Sequence, residues 1–353
     1  MAFELSSLRY GSSKRNALEV IRTRPRVASE DLVVPGVETA SPVYYGVDTF
    51  SPTLVDLYTA DEKRIVWSSR AHRKMMTTLF RAWHGKQWKL YSLSFWSGLC
   101  SICGNSLLLA GCIAEITSHA SSISTNEMHR KVDQPLFYGM VFYLLAYILN
   151  YFEVINSCHN LEIWLEEYFH GCEPMLQRRY FGIFPYRIDF WIQVLGLLAS
   201  GFFILTRVVV SKFIDETDNY GVANVKRANV SLIVGYWLPY FIGSFILLLS
   251  ACLAHVEVMH QWFSWRLPSL ESWVTGADMM GALGIFISSC MQFVDPMSLI
   301  CGFTACILPF MFGCLFRLSS SVLSILELEV MHKRHKHPEY AVLQNPIGYG
   351  TGL

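Results

Sequence analysis

Pro239-Tyr-Phe-Ile-Gly243, followed fourteen residues after its glycine by Glu257, is one of three copies of a single pattern. The others are Pro135-Leu-Phe-Tyr-Gly139 with Glu153 and Pro309-Phe-Met-Phe-Gly313 with Glu327. Each reads Pro, three large apolar residues, Gly, thirteen mostly apolar residues, Glu. Three copies of so specific a string in 353 residues point to an internal structural repeat. Pro to Glu at about 1.5 Å per residue covers about 27 Å, close to the roughly 30 Å of a bilayer's hydrocarbon, so each copy predicts a membrane-spanning helix. Proline suits the first helical turn, where no N–H is needed, and a glutamate closes the far end at the water boundary. Fourteen residues are almost four turns, so Gly and Glu share a face. The midpoint of that face is small in every copy, at Ala146, Ser250 and Ser320. A narrow groove of this kind invites close approach by a neighbouring helix.

Outward from these copies, the chain is 52% hydrophobic, with 28 basic and 28 acidic residues. That excludes disordered and nucleic-acid-binding classes and predicts an all-α, polytopic membrane protein. Six spans are expected at about 92–116, 135–156, 188–210, 230–258, 273–294 and 303–328. The odd-numbered ones open near Trp96, Trp191 and Trp273 and carry spaced glycines: Gly98 and Gly104, Gly196 and Gly201, then Gly276, Gly281 and Gly284. Tryptophan prefers the interface and small residues prefer helix contacts, so the expected unit is a helical hairpin repeated three times.

The expected divisions are an irregular cytoplasmic tail over 1–60, an amphipathic juxtamembrane helix over 61–90, a six-helix membrane domain over 91–330 and a basic cytoplasmic tail over 331–353. The mixture Lys63, Arg64, Trp67, Arg70, Met75, Leu79, Phe80 and Trp83 suits a helix lying on the membrane or packed on other protein. Arg73, Lys74, Arg81, Lys86, Lys89, Arg178, Arg179, Arg187, Arg266, Lys333, Arg334 and Lys336 flank the spans on the side of both termini. The other side has Arg130, Lys131, Lys212, Lys226 and Arg227. The positive-inside rule then puts both termini in the cytoplasm or the equivalent compartment of an organelle, and Glu4, Glu19, Glu30 and Asp31, which do not suit a transit peptide, put a plasma membrane or endomembrane ahead of an organelle.

Glu153, Glu257 and Glu327, with His255 and His260, are candidates for a polar or ion-binding cluster at the cytoplasmic mouth. The plainer reading makes each glutamate a helix end. A carboxylate at a helix C-terminus opposes the macrodipole, so a basic neighbour is expected to compensate it. Asp278 and Arg317 fall inside the fifth and sixth spans and are expected to pair. The cysteines fall largely in apolar runs; Cys100-x-x-Cys103 lacks a partner pair at zinc spacing, and no metal or cofactor site is read. No zincin motif, phosphate-cradling glycine loop or nucleophile elbow is present.

The pattern Pro239-x3-Gly243-x13-Glu257, with Trp265, Trp273, Gly276, Gly281-Ala-Leu-Gly284 and Gly313-x13-Glu327, resembles uncharacterised multi-pass membrane proteins of fungi and protists. The likeness covers about residues 90–330 and implies topology but no activity. The reading is therefore a non-enzymatic integral membrane protein, with small-solute or ion transport ahead of a scaffold that recruits a cytoplasmic partner, and a membrane-embedded lipid enzyme third. The bilayer is the expected partner, nucleic acid is not, and a homo-oligomer is left open.

Overall fold

A computed structural model describes residues 32–34, 37–40, 43–58, 64–76, 92–120, 129–157, 180–217, 233–262, 269–294 and 303–336. Among the described residues six helices are long and apolar enough to cross a membrane: α2 (Leu93–Ala120), α3 (Gln134–Asn156), α4 (Ile188–Thr217), α5 (Leu238–Met259), α6 (Leu270–Val294) and α7 (Phe303–Lys336). The chain is an all-α polytopic membrane protein with a small N-terminal addition. Each helix packs on its neighbours in sequence, and α7 returns to α2, so the six close into a ring. The pairs α2/α3, α4/α5 and α6/α7 pack most extensively.

The Gly/small/Glu face is what those pairs share. A Cβ on Gly139 would come within 3.0 Å of the Gly104 carbonyl, and seven residues on, the Ala146 carbonyl accepts the Ser97 hydroxyl at 3.2 Å. On α5, a Cβ on Gly243 would meet Phe202 at 2.9 Å and the Ala199 carbonyl at 3.4 Å, while Ser250 donates to the Ile192 carbonyl at 2.9 Å. On α7, a Cβ on Gly313 would meet the Gly281 carbonyl at 2.8 Å, and Ser320 donates to the Val274 carbonyl at 2.8 Å. Without an aqueous hydrophobic drive between helices, such backbone approach and interhelical hydrogen bonding hold a membrane bundle together.

Among the odd-helix glycines the reading holds unevenly. Gly104, Gly196 and Gly281 sit against neighbours, whereas a Cβ on Gly201 or Gly276 would meet nothing within 4 Å, so those two are not contact positions. The proline expectation also divides. Pro135 and Pro239 stand in the first turns of α3 and α5, each after a π-helical turn (His129–Asp133 and Ile233–Trp237). Pro309 lies inside α7, which begins at Phe303, and its carbonyl lies against Gly284 of α6.

The N-terminal divisions need correction. Where an irregular tail was expected, β1 (Leu32–Val34) pairs with β2 (Val37–Ala40), and β3 (Val43–Tyr45), β4 (Leu54–Tyr58) and β5 (Arg64–Ser68) form an antiparallel sheet in the order β3-β4-β5. Leu54-Val-Asp-Leu-Tyr58 and Arg64-Ile-Val-Trp-Ser68 are short β-branched and aromatic runs, legible as strands by composition rather than by helical period. The helix expected over 61–90 is, among the described residues, only α1 (Ser69–Met76), and it is buried against the ring rather than laid on a membrane. Residues 77–91 lie outside the described residues. The basic run from His332 to Lys336 ends α7 rather than opening a tail.

Candidate functional site

At the end of the ring where α3, α5 and α7 carry their glutamates, the side chains of α1 enter. Arg70, Arg73 and Lys74 stand at i, i+3 and i+4 and so share one helical face. Arg73 donates from Nη1 to Asp189 Oδ2 at 2.7 Å and to Glu257 Oε1 at 3.0 Å, and from Nε to Glu153 Oε1 at 3.2 Å. One guanidinium thus ties α3, α4 and α5. Arg70 makes a fork to Glu327 at 2.9 and 3.1 Å, and Lys74 reaches the same carboxylate at 2.8 Å. Arg187 closes the set on Asp189 at 3.0 and 2.5 Å and donates to Ser157 at 2.8 Å. Ser94 of α2 donates to Glu153 at 2.5 Å.

Four carboxylates meet four basic side chains, and all eight are buried. Burial works against the charge on Arg70 and Arg73, yet the facing carboxylates outweigh it and hold both guanidiniums above their ordinary range. Lys74 goes the other way. Burial and the positive charge of Arg70 push its ammonium below the ordinary lysine value, despite Glu327. The three repeat glutamates are therefore neither solvated helix ends nor an open carboxylate ring; they are the buried anionic half of a neutral lock.

Each of the two imidazoles has a hydroxyl partner outside that lock. His255 Nδ1 lies 3.2 Å from Thr275 Oγ1 on α6. His260, whose backbone is left-handed (φ 59°) at the C-terminus of α5, lies 2.6 Å from Thr53 Oγ1. Sequence reasoning missed Asp189 and the assignment of Arg70, Arg73 and Lys74 to the glutamates. The spacing of the three cations was the available signal; a lone Asp189 at a helix start carries none.

About 15 Å deeper along α7, Arg317 lies inside the ring. Its Nε is 3.1 Å from Asp278 Oδ1, its Nη2 donates to Tyr147 OH at 3.1 Å, and its guanidinium stands 4.7 Å from the Tyr143 ring centroid. Tyr143 in turn donates to Asn105, which donates to Ser321 at 3.1 Å and to the Ser101 carbonyl at 2.9 Å. A narrow cavity beside Arg317 is walled by Tyr143, Tyr147 and Ser200 and otherwise by apolar side chains including Phe203, Leu247 and Phe310. It has room for about one water molecule. Toward the opposite end, Arg207 lies 3.6 Å from Asp133. Among the described residues no group of three or more His, Cys, Asp or Glu is arranged to hold a metal ion.

No family model, curated protein or solved structure matches the chain.

Proposed function

We propose that this multi-pass membrane protein moves a small solute or ion through its six-helix ring and that the structure is its closed state. The observation that carries the reading is Arg317, an arginine buried inside the ring near the middle of its span. An ionised side chain at that depth is costly, and where one occurs it generally faces a bundle interior and marks a pathway. Support comes from the polar groups between it and the glutamate end: Tyr147, Ser321 and Asn105 beside Arg317, then Ser324 3.5 Å from Lys74. The test is flux of potassium and chloride across liposomes holding the purified protein, compared with Arg317→Leu. Failure of both ions and of small neutral solutes to cross, with the protein folded and segment 1–76 released through a protease site inserted between residues 77 and 91, ends the reading.

A second reading is a scaffold, favoured by the narrowness of the cavity and by the close glycine contacts. It predicts a bundle interior closed to water under every condition, with the N-terminal sheet as the exposed working surface.

The three hairpins are, on this proposal, copies of one unit. In each, the motif glycine and the small residue seven positions on meet residues that are themselves seven apart on the odd helix: Gly104 and Ser97, Ala199 and Ile192, Gly281 and Val274. We assign the glutamate end and both termini to the cytoplasm, by the balance of flanking basic residues.

A further inference from the structure

We propose that the sheet β3–β5 with α1 is an autoinhibitory plug: a releasable module that shuts the glutamate end of the ring by inserting Arg70, Arg73 and Lys74 among its carboxylates. The gating half of this inference rests on the transport reading; the seating and release of the plug do not.

The ring closes without the module, since α7 packs on α2 and each other helix on its neighbours. Among the described residues, a dense set of polar contacts fastens the module. Arg73 reaches three helices and Arg70 and Lys74 a fourth. Thr53 meets His260, and the Ser51 N–H donates to the Tyr186 carbonyl at 2.8 Å. Among the described residues an apolar patch joins it, in which Val47 and Phe50 pack with Ile188, Ile192 and Val256. Desolvated ion pairs of this kind give specificity of seat at small net gain over separation, because the desolvation of each charge offsets most of its attraction. That is the energetic profile of a part that must seat in one register and still leave. Charge supplies the consequence: Glu153, Asp189, Glu257 and Glu327 come from four helices and face one opening, so removing the plug takes Arg70, Arg73 and Lys74 away from them, while Arg187 stays on Asp189.

The test labels carboxylates with a water-soluble carbodiimide and glycine amide, read residue by residue by mass spectrometry, on the full chain in liposomes. In the parent protein the four carboxylates are expected to be protected. In the double variant Arg70→Gln/Arg73→Gln they should label at least tenfold faster. Because that variant can fail to fold, a second form carries a protease site inserted between residues 77 and 91; after cutting, segment 1–76 should wash away and the ring, native in sequence, should label in the same way. Equal labelling before and after release overturns the plug, as does continued protection once the segment is gone, and as does collapse of the ring when the segment leaves. Potassium and chloride flux is recorded on the same samples. Labelling accompanied by flux supports both inferences, and labelling without flux overturns the transport reading while the plug stands.

Discussion

Arg73 and Glu257, 184 positions apart in sequence, meet at 3.0 Å in a buried ion pair at the end of the ring. The same guanidinium reaches Glu153 and Asp189, so one residue of the N-terminal module touches three transmembrane helices. Replacing Arg73 by Met leaves three carboxylates in low dielectric with Arg187 on one of them. Loss of one partner from a buried pair costs on the order of 3–5 kcal/mol, so the variant should melt well below the parent in detergent or fail to accumulate. Unaltered melting would mean that water already solvates the cluster.

Lys74→Met should be milder. Glu327 keeps its fork to Arg70, and the Lys74 ammonium is already disfavoured by burial and by Arg70. The sign of the pH effect follows. Because the folded-state pKa of Lys74 lies below its unfolded value near 10.5, the unfolded chain binds more protons between the two, and stability rises with pH through that window. Parent melting should therefore gain on Lys74→Met as pH climbs toward 10.5, and the gain should be lost as pH falls through the folded value. Parallel curves over the alkaline range would show that Lys74 titrates normally.

Arg317 and Asp278 give a charge-exchange prediction. Neutralising either alone should destabilise the bundle, because the other is left within its membrane span without a counter-ion; exchanging them should rescue accumulation in part. The rescue is partial because Tyr147 OH and the Tyr143 ring are placed for a cation at 317, and Asp278 is the more exposed of the two side chains. A doubly exchanged protein no better than the singles would show that these aromatic contacts outweigh the pair.

The transmembrane part of the fold was legible because apolar runs of bilayer length are hard to disguise, and because a glycine repeated at one position marks a contact whatever its partner. Even the need for a cation opposite the glutamates was readable from the helix dipole. The source of that cation was not. Arg70, Arg73 and Lys74 suit a membrane-surface helix as well as a buried one, since one amphipathic period serves both lipid headgroups and carboxylates. The strands before them are five residues or fewer, too short for alternation to stand out from an irregular tail. Pro309 departs in a different way: its copy matches the pattern, but α7 begins at Phe303, where the sixth span was expected, so only the first-turn role of this proline fails.

The hairpin contacts are tested by Gly243→Leu against Leu249→Ile on the same helix. Gly243 is buried, and even a single added carbon there would lie 2.9 Å from Phe202 Cβ and 3.4 Å from the Ala199 carbonyl. A leucine must therefore push α4 and α5 apart, with strain of about 1–3 kcal/mol or more, and the displaced pair would also stretch the Ser250 hydrogen bond to the Ile192 carbonyl two turns along. Leu249 is 41% exposed and faces outward, so exchanging it for isoleucine changes shape where lipid adapts. Gly281→Ala sharpens the comparison, because its methyl would come within 2.3 Å of Arg317 Cγ and 2.8 Å of the Gly313 carbonyl. Melting temperature and the monodisperse fraction in detergent should fall for both glycine variants and stay with the parent for Leu249→Ile. Parent-like behaviour of Gly243→Leu would show that α4 and α5 separate at little cost, and the shared glycine positions would then be a trace of duplication with no part in holding the ring.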